Sequence, residues 1–209
     1  TEGWVDVSSR SKTYDLLELK NEDSLEVLAE TKVQAGTYDQ LRLDISKVVV
    51  VDSRGEHEAK LPSNELKINT EMEVKENSTA TATFDFIVGE SLHVTGNGQY
   101  ILAPVVQVET RSDAEAEIKS NNKVEIRGGD VKSNIKVGMN AEGQVGVDLR
   151  IPADVDISLG SNGIIRVGSN NRANNSAQAG ASANTNVGIG VGTGSAVSGG
   201  LDSDVDVGY

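Results

Sequence analysis

The chain has 209 residues, of which 37% are hydrophobic and 3% aromatic, and its 19 Lys and Arg stand against 32 Asp and Glu for a net charge of -13. That acid surplus argues against nucleic acid as a partner, because phosphate binding needs a basic surface. No run approaches the ~18 consecutive apolar residues of a membrane span, and the absence of cysteine excludes disulfides, thiolate nucleophiles and sulfur-bound metals.

Six of the seven aromatic rings lie at or before Tyr100, so the second half of the chain must pack on small aliphatic side chains. The start at Thr1 and the Gly, Ser, Thr, Asn and Val content fit a secreted product from which a leader has been removed. Residues 14–33 are ambiguous: Leu16, Leu17, Leu19, Leu25, Val27 and Leu28 suit two short strands, the reading favoured here, or one short helix. From there to residue 111, short β-branched runs at 47–51, 66–74, 80–88 and 100–109 are separated by Asp52-Ser53-Arg54-Gly55, Pro62-Ser63-Asn64 and Gly96-Asn97-Gly98. These are strand and turn signals. Alternation is strict from Thr79 to Phe86, which predicts a half-buried strand.

Residues 112–122 are polar and read as a linker. Beyond them the apolar residues fall on odd positions: Val131, Ile135, Val137 and Met139, then Val145, Val147, Leu149 and Ile151, then Val155, Ile157 and Leu159, then Ile165 and Val167. Four strands follow, with turns at 140–143, 152–153 and 161–163, and together they predict a β-meander over 123–168 whose single apolar face needs a cover.

Residues 169–209 change character again, with Arg166 and Arg172 the only charges between Ile157 and Leu201. Such a composition reads as a linker, but within it residues 186–197 place Val187, Ile189, Val191 and Val197 on one face and mostly glycine on the other. A strand of that kind presents knobs on one side and admits another backbone on the other.

Sites of chemistry are sparse. His57 and His93 have no neighbouring ligand in sequence and read as surface histidines; Asp85, between Phe84 and Phe86, reads as an outward strand residue. The acidic run of Asp202, Asp204 and Asp206 is a weak calcium candidate, because Val207 stands where a calcium loop requires glycine. Asn77 and Asn174 begin glycosylation sequons. No nucleophile and base pair, phosphate loop or metal spacing occurs, so the expectation is no enzyme and no cofactor.

Trp4, then Tyr14-Asp15-Leu16-Leu17-Glu18-Leu19, the block from Ala35 to Leu43, Leu61-Pro62-Ser63, Phe84-Asp85-Phe86 with Ser91-Leu92, and the block from Tyr100 to Val108 resemble domain-of-unknown-function family 4382. The resemblance covers residues 1 to about 110. It implies a secreted or surface β-sandwich of archaea or bacteria, transthyretin- or immunoglobulin-like, with no established activity. Family members usually carry two further strands before the Trp; a sandwich without them would offer an open groove.

The expected fold is therefore all-β: a sandwich over 1–111, the linker, the meander, and a Gly-rich extended C-terminal strand. Two functions from different classes fit it. The first is a structural subunit of an extracellular filament or surface assembly, a homo-polymer in which residues 186–197 of one protomer complete the sandwich of the next. The alternative is a secreted surface binding module for a carbohydrate, metal or protein ligand, with the tail as spacer.

Overall fold

The computed structural model describes residues 4–7 and 11–169. The expected strand 186–197 with Val187, Ile189, Val191 and Val197, Asn174 and the Asp202, Asp204, Asp206 run lie outside the described residues. In chain order the elements are α1 (Leu16–Glu22), β1 (Leu25–Glu26), β2 (Gly36–Asp44), β3 (Val49–Asp52), β4 (Gly55–Glu58), β5 (Glu65–Val74), β6 (Thr81–Phe86), α2 (Val88–Ser91), β7 (Leu92–Val94) and β8 (Tyr100–Leu102). They continue with β9 (Val105–Ile118), β10 (Lys123–Met139), β11 (Val145–Val147), β12 (Val155–Leu159) and β13 (Ile165–Ser169). The class is all-β.

The main sheet has the order β1-β10-β9-β6, with β11 also paired to β10. A second sheet, β2-β5, packs over it, and β5 is the strand that approaches β9, β10 and β11. Leu66 and Ile68 of β5, Val106 and Val108 of β9, and Val137 and Met139 of β10 form the shared core, closed by Ile101, Ile151, Ile157 and Ile165. Each such side chain contributes on the order of 1.5–3 kcal/mol on burial. Polar ties cross between the layers: the Thr70 hydroxyl donates to Ser133 Oγ at 2.7 Å, and the fully buried Thr110 hydroxyl donates to the Glu71 carbonyl at 2.6 Å. Lys132 pairs with Glu73 at 2.6 Å, and Glu90 of α2 holds both Lys136 at 2.7 Å and Arg150 at 3.0 Å. A smaller cluster of Ala59, Leu61 and Leu102 lies under the β3-β4 and β7-β8 hairpins.

The structure departs from the sequence reading at four places. Residues 16–22 are helical: the Asp15 carboxylate accepts from the Leu17 and Glu18 amides, and Asp23 closes the far end in the left-handed region at φ 47°, so caps at both ends decide against strands. Residues 112–122 do not form a separate linker, because β9 runs on to Ile118 and pairs with β10 as far as Val124 opposite Ile118. Ser112 and Ala114 are buried between the exposed Asp113 and Glu115, so the alternation of β9 runs on with small inward residues before its end becomes exposed.

Val131 is the third departure, exposed although it sits on the odd series. The ladder slips between Val131 and Ser133, so Lys132 is a bulge. Before it the residues paired to the inward side of β9 are even, Gly128 and Asp130 opposite Ala114 and Ser112; after it they are odd, Ile135 and Val137 opposite Val108 and Val106. One extra residue exchanges the faces.

The fourth concerns the meander, which divides into two hairpins, since β11 pairs only β10 and β12 pairs only β13. Asp148 turns the chain in the left-handed region at φ 55°, and the Leu149 carbonyl then lies against Gly138, where a Cβ would stand 1.9 Å from its oxygen. Pro152 follows, with no N–H to offer a ladder. Val147, beside this crossing, is left 64% exposed.

Candidate functional site

Two features outside the core have geometry that suits recognition: a polar cluster on the β3-β4 hairpin and the unpaired edges of the sheets.

The hairpin turns through Ser53 and Arg54, with Asp52 opposite Gly55, whose φ of 120° favours glycine. The Asp52 carboxylate collects five donors. Its Oδ1 accepts from the Arg54 backbone N–H at 2.7 Å and meets His57 Nε2 at 2.9 Å, while its Oδ2 accepts from Arg54 Nε at 3.0 Å, Arg54 Nη2 at 2.7 Å and the Tyr100 hydroxyl at 2.7 Å. The Arg54 guanidinium, then the Tyr100 hydroxyl, hold this carboxyl well below the usual carboxylate range. Tyr100 belongs to β8, so the cluster pins the hairpin to the β7-β8 pair, and the His57 ring lies 5.5 Å from the Tyr100 ring. Beside it a shallow cleft of about 350 Å³ is lined by Glu56, His57, Glu58, Lys60, Gln99 and Tyr100, among others. With its acceptor positions occupied, Asp52 organises this cleft, whose side chains of both charge signs suit binding of a polar group.

The other sequence candidates are dispersed. His57 is half-buried by its bond to Asp52, in place of the exposed position expected. His93, in β7 opposite Ile101, is also half-buried; burial pushes its imidazole down against a hydrogen bond at the Glu90 backbone, and its Nε2 is buried without a protein partner. Asp85 is exposed on the outer face of β6, opposite Gln107. Asn77 sits exposed in the turn after β5 at φ 55°, a conformation Asn tolerates well. No group of three or more His, Asp or Glu that could hold a metal occurs among the described residues, and no helix there is long and apolar enough to cross a membrane. Sequence reasoning located the Asp52 turn but missed its connection to Tyr100, 48 positions away, because nothing local marks a partner so distant.

The edges are the second feature. Among the described residues β6 has no strand on the side away from β9, β2 has none away from β5, and β10 is free on its outer side from Glu125 to Ile135, between its short pairings with β1 and β11. Phe84 and Phe86, on the β6 edge, are only half-buried although they pack on the core.

The described residues thus form an all-β protein in which the β2-β5 sheet packs over the main sheet, three further hairpins flank them, and the outer sides of β6 and β2 carry no strand among the described residues. Residues 1–104 match the model of the family described as Domain of unknown function (DUF4382). The match stops between β8 and β9, so the family segment supplies β1 to β8 and the strands after it complete the same core. No curated protein and no solved structure matches the chain.

Proposed function

We propose that this protein is a structural subunit of an extracellular filament or surface assembly, a homo-polymer in which residues 186–197 of one protomer add as a strand to a sheet of the next. The observation that supports it is the pair of sheets that, among the described residues, end in β6 and β2 with no strand on the outer side. Such edges invite strand addition, in which ladder hydrogen bonds supply affinity and alternate side chains supply register. The segment 186–197 is apolar on one face, glycine-rich on the other and uncharged, so it adds without burying a charge. Repeated head to tail, the contact does not close and gives an open fibre. In this role the chain needs no catalytic residue, cofactor or nucleic acid. Deleting residues 186–209 is the test: it should yield soluble monomers that bind a synthetic 186–197 peptide, and fibres formed by the truncated chain would overturn the proposal.

The cleft beside His57 and Tyr100 supports a second reading, a secreted binding module. Under that reading the full chain stays monomeric, and His57→Ala or Tyr100→Phe weakens binding of a carbohydrate, metal or protein ligand.

A further inference from the structure

We infer that the edge receiving the donor strand is β6, with Ile189 opposite Phe84; this rests on the filament reading above. The phase of the β6-β9 ladder shows which backbone groups are free. Ile87 N–H donates to the Val105 carbonyl at 2.8 Å, and since backbone groups of an antiparallel strand point to alternate sides, Thr81, Thr83 and Asp85 address β9. Ala82, Phe84 and Phe86 therefore turn their N–H and C=O groups away from it. The same three residues pair with Thr110, Val108 and Val106, which are fully or almost fully buried, so their side chains lie on the core face. A strand beside β6 thus meets three free backbone positions and three core-face positions.

The donor sequence has the matching pattern. Val187, Ile189 and Val191 are three consecutive knobs at the period of a strand, and Gly188 and Gly190 alternate with them. With Ile189 opposite Phe84, Val187 and Val191 fall beside Ala82 and Phe86 and extend the core face. Gly188 and Gly190 fall beside Thr83 and Asp85 on the outer face, and the lone Asp85 meets no like charge. Residues 170–185 connect β13 to the donor and can span on the order of 50 Å when extended, enough to reach a neighbouring subunit.

The rival edges fit less well. The free stretch of β10 contains Gly128 and Gly129 in the left-handed region, the bulge at Lys132 and the charged Arg127, Asp130 and Lys132, features that guard an edge. β2 has a bulge between Tyr38 and Gln40, carries Asp39, Arg42 and Asp44, and its Arg42 guanidinium is stacked 3.5 Å from the Trp4 ring centroid. An uncharged donor gains nothing from either.

Because the chain has no cysteine, an engineered disulfide reports only the pair introduced. Full-length protein carrying Thr83→Cys with Gly190→Cys tests the antiparallel orientation, and Thr83→Cys with Gly188→Cys the parallel one. Thr83 addresses β9, so in the antiparallel arrangement its pairing with the donor is of the non-hydrogen-bonded kind, whose close Cα atoms suit a disulfide. Asp39→Cys on β2 and Asn134→Cys on β10, each combined with the same donor substitutions, are the comparisons. The expected result is a ladder of covalent oligomers from one of the Thr83→Cys pairs, with the Ala82, Phe84 and Phe86 amides passing from unprotected to protected against hydrogen exchange. Fibres that cross-link only through Asp39→Cys or Asn134→Cys would overturn the β6 assignment and leave strand donation standing. A Thr83→Cys disulfide confined to single chains would support the edge and overturn the filament. Monomers with no disulfide at any site would overturn both.

Discussion

Met139→Ala should destabilise the whole protein in one transition. Met139 is fully buried at the end of β10 and belongs to the same cluster as Leu66 and Ile68 of β5, so its truncation leaves a cavity between the segment that carries the family match and the strands after it. Large-to-small changes of this kind cost about 2–5 kcal/mol. For a chain of this size that lowers Tm by roughly 4–20 °C. The assay is urea unfolding followed in parallel by far-ultraviolet circular dichroism, which reports all strands, and by the fluorescence of Trp4, the single tryptophan, which stacks on Arg42 of β2. Both midpoints should fall together with the slope unchanged. A Trp4 midpoint that stays in place while the dichroism splits into two steps would refute the shared core.

Gly138→Ala should cost more than a typical surface change of about 0.5 kcal/mol, because a Cβ there would stand 1.9 Å from the Leu149 carbonyl oxygen; thermal melts of the variant beside Gly146→Ala, where the contact is with a side chain at 2.6 Å, check that the backbone contact is the costlier. Asp52→Asn should lower stability at neutral pH. A carboxyl depressed in the folded state stabilises it fully above the unfolded value of about 3.9 and loses that contribution as pH falls through the folded value, so the gap between native and variant should stay constant down to about pH 5 and shrink below about pH 4. Chemical denaturation at a series of pH values measures it, and a gap that widens on acidification would contradict the Arg54 and Tyr100 anchoring of Asp52.

Much of the second half was legible in sequence because its odd series is long and its core small. Val137, Met139, Ile151, Ile157 and Ile165 are all buried, as period-two reading requires. What escaped the reading depends on single residues that periodicity does not weigh. Lys132 as a bulge exchanges the faces of β10, Asp15 and Asp23 cap a seven-residue helix, and Ser112 and Ala114 are too small to mark an inward row between acidic residues. The Asp52 cluster was half legible: Asp52-Ser53-Arg54-Gly55 announces the turn, whereas Tyr100 comes to it only through the β4-β8 neighbourhood, where the Lys60 N–H donates to the Tyr100 carbonyl at 2.8 Å. The open side of β6 was not legible, since an alternating strand reads alike whether it has one neighbour or two.

Sedimentation of the purified full-length chain, with negative-stain images of the pellet, tests strand-mediated assembly most directly. Strand donation predicts pelleted fibres of uniform width that disappear when residues 186–209 are removed. A chain that stays monomeric at every concentration and salt condition would contradict it.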